Sequence, residues 1–288
     1  AMGVQQGLER ISKIVMPVLL LMLVVLVVHS ATMSGAAEGY RFLFTPDFEK
    51  AFTVKTIVSA IGQAFFSLSI GLGAMITYAS YFKSGTSVRG TALQVTLLDT
   101  LVAVIAGLVI FPAVFSAGLE PGSGPSLVFI TLPSIFSGIS MSALWSTIFF
   151  LLLVLAALTS TISMHESVTA YIEEEWHLSR RVAAWIVTLF TGFMAILASL
   201  SLGIGKGYTI CGLTLFDSLD YLTANILLPL CALFTCLFVG WKFDRKTFEQ
   251  QLYPDCRPNG EYPLLRFLIK FVCPIFLLIL FVYNLGII

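Results

Sequence analysis

Long apolar stretches alternate with short polar or charged segments along this chain of 288 residues. A helix that crosses a bilayer needs about 20 mostly apolar residues. Stretches of that order recur at 14–30, 54–82, 91–116, 141–172, 181–203, 217–241 and 263–288. The pattern predicts an all-α polytopic membrane protein with about seven transmembrane helices, forming a single transmembrane domain over 1–288. Helices are expected because they satisfy their own backbone groups where lipid cannot. Residues 29–53 and 242–262 read as polar loops, and 173–181 (EEEWHLSRR) as a charged, solvated one. Residues 116–140 are rich in Gly, Pro and Ser, yet contain the apolar FITLPSIF, too short to cross. A re-entrant or extracellular helical loop is expected there, at about 124–138.

The second stretch departs from the pattern at its centre, which reads Ser67-Leu68-Ser69-Ile70-Gly71-Leu72-Gly73. Glycine lowers helix stability by about 1 kcal/mol relative to alanine. Backbone freed at such a point must be satisfied by protein, water or a ligand. The sequence therefore predicts a helix broken near 68–74 with a binding site at the break. Small residues that allow close helix contact are the alternative.

Composition narrows the class. Hydrophobic residues make up 58% and charged residues 11%, with a mean hydropathy of +0.95 and no formal net charge. Soluble proteins carry about 25% charged residues. A neutral chain of this kind argues against nucleic acid as a partner, and the bilayer is its expected surroundings. The amphipathic leader GVQQGLERISK has no signal-peptide pattern. With that leader inside, the inner side collects Arg10, Lys13, Lys83, Arg89, Arg180, Arg181, Lys242, Arg245, Lys246, Arg257, Arg266 and Lys270, against Arg41, Lys50, Lys55 and Lys206 outside. This bias predicts a multi-pass protein of the cell inner (plasma) membrane with a cytoplasmic N-terminus. The five cysteines form no C-x-x-C pair and read as small packing residues. The nucleophile-elbow G-x-S-x-G and the zinc motif H-E-x-x-H are both absent, so an enzyme is not expected.

Ionisable and hydroxyl groups within spans are the candidates for chemistry. Asp99 lies in ALQVTLLDTLVAVIAGLVIFP with no Lys or Arg in the same stretch. A bound Na⁺ or a carried proton is its simplest partner, and a protonated structural carboxyl the alternative. Ala156, Thr159 and Ser160 share one helix face by their spacing. A carbonyl and two hydroxyls make a hard-oxygen set suited to an alkali cation, although such residues also serve helix packing. His165-Glu166 reads as a satisfied polar pair or a proton relay. Asp217 and Asp220 are read as caps of the sixth helix or as gate residues.

These residues occur in an order that resembles the neurotransmitter:sodium symporters, in particular the bacterial amino-acid branch. The resemblance rests on GVQQGLERISKIVMP (3–17), FLFTPDF (42–48), GQAFFSLSIGLGAMITYASY (62–81), LLDTLVAVIAGLVIFP (97–112), FITLPSIF (129–136), AALTSTIS (156–163), EEEWHLSRR (173–181) and FDSLDYLT (216–223). It implies the inverted-repeat leucine-transporter fold, in part. The chain would run from the end of the family's fourth span to the eleventh, a fragment lacking the first four spans, which would complete its sites. It further implies Na⁺-coupled symport of a small, apolar or aromatic L-amino acid by alternating access. Phe66, Ser67, Ser69, Gly71, Leu72, Gly73, Met75, Ser160 and Met164 would line the substrate pocket. Ser67 and Asp99 would serve the first sodium site, and Ala156, Thr159 and Ser160 the second. Gln63, Phe66 and Asp220 would act at the outer gate, Tyr81 and Glu174 at the inner one. Asp99 stands where many relatives have an amide, and Ala103 where chloride-dependent members have a serine. The expectation is chloride-independent transport with no organic cofactor, and an oligomer is possible. A proton-coupled amino-acid or amine transporter using Asp99 or His165/Glu166, and a non-transporting half-transporter subunit, are the alternatives.

Overall fold

The computed structural model describes residues 9–83, 85–119, 133, 141–205, 207–210, 212–252 and 261–285. Regular structure among them is helical, apart from an isolated bridge between Ile210 and Leu213. In chain order the helices are α1 (Glu9–Ala31), α2 (Ala36–Phe44), α3 (Phe48–Ala51), α4 (Val54–Ser67), α5 (Ala74–Ser80), α6 (Val88–Ser116), α7 (Ser142–Glu175) and α8 (Arg180–Leu202), followed by α9 (Leu215–Lys242), α10 (Arg245–Leu252) and α11 (Tyr262–Asn284). Six of them, α1, α6, α7, α8, α9 and α11, are long and apolar enough to cross a membrane. The stretch at 54–82 is instead the two short helices α4 and α5. Glu173, Glu174 and Glu175, read from the sequence as loop, are the last turn of α7. The loop expected at 124–138 lies outside the described residues except for Pro133.

The chain divides into two compact units. The first comprises residues 1–48 and 97–163. Its core joins Leu23 and Leu26 of α1 to Val109, Ala113 and Val114 of α6 and Phe149 of α7. The segment 29–53, expected to be a loop, carries α2 because glycines let it lie flush on α6. A Cβ on Gly39 would fall 2.5 Å from the Pro112 nitrogen, and the Gly35 amide donates to Ser116 Oγ at 2.9 Å. Ser30 is almost fully buried, with its hydroxyl 2.9 Å from the Leu108 carbonyl. His29 stacks on Trp145 at 3.6 Å between ring centres.

The second unit comprises residues 49–96 and 164–288. Ala232, Leu233 and Leu277 form the core between α9 and α11, with Phe65, Cys236 and Ile70 against them. Neither long helix is regular. Single π-turns interrupt α9 at Leu222–Leu227 and α11 at Leu268–Val272, and α9 ends in another, Phe238–Lys242. Pro229 and Pro274 each stand two residues beyond an interrupting π-turn. Proline brings no N–H and its ring collides with the carbonyl four residues back. A local shift of hydrogen-bond register is the usual way to absorb that defect.

Candidate functional site

The break between α4 and α5 is built by the residues that marked it in the sequence. Helix α4 starts on Thr53, whose hydroxyl accepts from the Thr56 amide at 3.3 Å. It ends in a closed C-terminal turn, with the Ile70 amide donating to the Phe65 carbonyl at 3.0 Å and Ser69 to Phe66 at 3.1 Å. That pair of bonds is the Schellman arrangement, whose left-handed position is normally glycine. Here Ser69 takes it, at φ 55°, followed by Gly71 at 90° and Gly73 at 76°. A serine held in that region is strained backbone, which clusters at binding sites. Helix α5 then begins at Gly73 with no side-chain cap. The stretch from Leu68 to Gly73 thus separates the carbonyl end of α4 from the amide end of α5, a pair of opposed partial charges.

Gly71 seats this stretch on α9. A Cβ there would stand 2.6 Å from the Leu228 carbonyl oxygen and 3.2 Å from the Ala232 nitrogen. Beside it a cavity of about 320 Å³ opens, lined by Ser59, Gln63, Phe66, Asn225, Pro229 and Asn284 among others. Gln63 and Phe66, both gate candidates, therefore meet around one void. Phe66, Ser67 and Met75 are exposed and Ser69, Leu72 and Gly73 half-buried. Asp220 is exposed on α9 and is in no ion pair among the described residues. Neither acid there caps the helix. Thr214 does, accepting from the Asp217 amide at 3.1 Å while its hydroxyl meets Asp217 Oδ2 at 2.7 Å. Thr214 holds the N-cap position, whereas Asp217 and Asp220 are already the third and sixth residues of the helix.

In the first unit, the oxygen set on α7 is compact. Thr159 Oγ1 lies 2.8 Å from the Ala156 carbonyl oxygen, to which it donates, and Ser160 is exposed beside it. Two oxygens this close present lone pairs that one small cation can share. Hard monovalent and divalent ions favour such carbonyl and hydroxyl donors. Asp99 is half-buried in α6, with Ala103 exposed one turn on.

At the far end of α7 a charged cluster forms that the sequence reading divided between separate elements. Glu166, read as half of a pair with His165, is buried, and both its oxygens accept from Arg180 Nη2, at 2.7 and 2.5 Å. Tyr81 donates to the same carboxylate at 3.1 Å, and Arg180 Nη1 reaches Glu173 at 3.1 Å. Tyr81 is thus joined to Glu166 and Arg180, two residues that the sequence did not place at a gate. Glu174 is exposed beyond them. The signal was present: an acid inside an apolar helix needs a cation, and Arg180 is the first residue of the next helix. His165 turns away from Glu166. Its Nε2 lies 2.8 Å from Thr188 Oγ1 and its Nδ1 3.1 Å from Thr169 Oγ1.

Comparison with known proteins accords with this architecture. The profile of the sodium:neurotransmitter symporter family matches residues 1–287. An uncharacterized sodium-dependent transporter of Bacillus subtilis, YhdH, is 35% identical over 288 residues, covering 100% of this chain and 64% of that protein. An uncharacterized sodium-dependent transporter of Haemophilus influenzae is 36% identical over 99% of this chain and 62% of its own length. Among solved structures, MhsT in complex with L-phenylalanine superposes with a TM-score of 0.87 at 39% identity, over 98% of this chain and 64% of that one. The chain thus spans 62–64% of the length of these relatives. Its fold is the polytopic, all-helical leucine-transporter type, in part. The chain belongs to the sodium:neurotransmitter symporter family, a family of transporters and not of enzymes.

Proposed function

We propose that this chain works within a sodium-coupled symporter that carries small apolar or aromatic L-amino acids without chloride. The observation that supports this most is the stretch Leu68–Gly73, where strained backbone divides two helix ends. An amino acid has one cationic and one anionic group, and opposed helix ends favour both. In this reading Ser69, Gly71, Leu72, Gly73 and Met75 line the pocket with Ser160 and Met164, and Phe66 closes over the substrate. The residues at hand are short or apolar, and the relative MhsT binds L-phenylalanine, both in keeping with an apolar or aromatic side chain. Ala156, Thr159 and Ser160 serve as oxygen ligands for a sodium ion. Asp99 brings a fixed carboxylate to a sodium ion, with Ser67 as a hydroxyl ligand, so no chloride is required as countercharge. Gln63 and Asp220 act on the outer side, and Tyr81, with Glu174 beyond it, on the inner side. The residues of the relatives that lie outside this chain complete the sites.

Uptake of radiolabelled amino acids into proteoliposomes tests this. L-Phenylalanine or leucine uptake is expected in a sodium gradient, lost in choline and unchanged when gluconate replaces chloride. Preference for acidic or basic amino acids overturns the pocket assignment. Uptake that persists in choline and follows a pH gradient makes the protein proton-coupled, through Asp99 or the His165/Glu166 region.

A further inference from the structure

The C-terminal end of α9 and the N-terminal part of α11 carry a second feature, remote from the break. The π-turns Phe238–Lys242 and Leu268–Val272 lie against each other, and Gly240 makes the contact possible. A Cβ on Gly240 would stand 2.9 Å from Lys270 Cα. Pro274 cannot donate to the carbonyl of Lys270, four residues back. Trp241 takes over that bond, its indole N–H donating to Lys270 O at 3.3 Å. The same contact lays the Lys270 ammonium over the Trp241 ring, 4.2 Å from its centre, and 5.4 Å from that of Phe271. Lys242, next to Trp241, is exposed.

Lys270 lies about 12 Å along α11 from Tyr262, at 1.5 Å per residue. A lysine at such a depth directs its ammonium toward the interface. Two nearby acids, Asp244 and Glu249, are engaged with other partners. Asp244 accepts from the Thr247 amide at 2.9 Å and from its hydroxyl at 2.8 Å, capping α10, and these bonds hold it below the usual carboxylate range. Glu249 is paired with Arg245 at 2.8 Å. Among the described residues no ion pair includes Lys242, Lys246 or Lys270. From Lys242 to Lys270 the sequence bears six cations (Lys242, Arg245, Lys246, Arg257, Arg266, Lys270) and four anions (Asp244, Glu249, Asp255, Glu261). Below them Phe238, Trp241, Phe267 and Phe271 present an exposed aromatic wall.

We propose that this junction of α9 and α11 binds an anionic phospholipid, its phosphate held by Lys270 and Lys242 and its acyl chains laid along Phe238, Trp241, Phe267 and Phe271. Charge complementarity selects the occupant: an excess of cations at the edge of an aromatic, apolar face matches a headgroup phosphate above hydrocarbon chains. Cation–π contact with Trp241 orients the ammonium, and the N–H donors turned away from the ring remain for phosphate oxygens.

Native mass spectrometry of the protein released from nanodiscs of phosphatidylcholine and phosphatidylglycerol tests the site. Retention of phosphatidylglycerol over phosphatidylcholine is expected. Lys242→Gln and Lys270→Gln should each weaken it about fivefold, Lys270→Arg should preserve it, and Arg181→Gln on α8 should leave it unchanged. Lys242 is exposed, so its variant reads the site even if Lys270→Gln does not fold. A photoreactive residue in place of Phe238 should cross-link lipid. Equal retention of both lipids, unchanged retention in the Lys242→Gln/Lys270→Gln double variant, or cross-linking of Phe238 to a protein segment each overturns the proposal.

Discussion

Gly71 and Leu228 touch so closely that the broken stretch and α9 share one seam: a Cβ on the glycine would fall 2.6 Å from the leucine carbonyl oxygen. Gly71 also has φ 90°, where a Cβ costs about 1–2 kcal/mol. Gly73 shares the positive φ, but a Cβ there meets nothing within 4 Å. The two glycines therefore separate backbone strain from contact. Gly71→Ala should destabilise by several kcal/mol, since helix α9 cannot withdraw without disturbing its core, whereas Gly73→Ala should lose only about 1–2 kcal/mol. Thermal unfolding in detergent reads the difference, and equal losses would show that the seam is not rigid.

Thr159 and Ala156 allow a cleaner test of the cation. Among the described residues the hydroxyl bonds within its own helix, at 2.8 Å, so Thr159→Val should change stability by less than about 1 kcal/mol. A lost contact to a charged partner is worth about 1.5–3 kcal/mol. The sodium concentration for half-maximal substrate binding should thus rise about tenfold or more, while Thr159→Ser restores it. Unaltered sodium dependence in the valine variant would remove Thr159 from the ligands.

What the sequence disclosed follows from which interactions are local. The break was legible because Ser69, Gly71 and Gly73 are the very residues that hold positive φ. The hard-oxygen set on α7 was legible because i, i+3, i+4 spacing fixes a face. The π-turns were not, since a shift in hydrogen-bond register leaves no periodic trace, although Pro229 and Pro274 mark each interruption. The helix α2 escaped because at nine residues it is too short to read as a span, and what holds it is the close contact that Gly35 and Gly39 make with α6. The Glu166–Arg180 pair, 14 residues apart, escaped because the chain turns between them and no helical spacing links them.

That pair is expected to hold the end of α7. Arg180 is about a quarter exposed and Glu166 about a tenth by side chain. Removing one partner of a largely buried pair costs about 3–5 kcal/mol, because the other charge is left uncompensated. Arg180→Ala should approach that range. Glu166→Gln should cost less, as the amide still accepts a hydrogen bond. Tyr81→Phe should lose about 1 kcal/mol, one hydrogen bond to a shared carboxylate. A double-mutant cycle on Glu166 and Arg180, read by thermal unfolding, checks this. A coupling energy near zero would make the cluster a crowd of independent charges.

Asp99 carries the chloride question. If its carboxylate supplies the negative countercharge, Asp99→Asn removes that charge while keeping size and hydrogen-bonding capacity. Sodium-driven uptake should then fall at least about tenfold, the scale of one charge-assisted contact. Chloride alone should not restore it, because Ala103 offers no donor to hold the anion. With Ala103→Ser added, a hydroxyl stands one turn from the new amide on the same face of α6. Uptake by the double variant should become chloride-dependent, rising with chloride at constant sodium and collapsing in gluconate. Chloride dependence in the unsubstituted protein, or full activity of Asp99→Asn in gluconate, would each show that the countercharge comes from elsewhere.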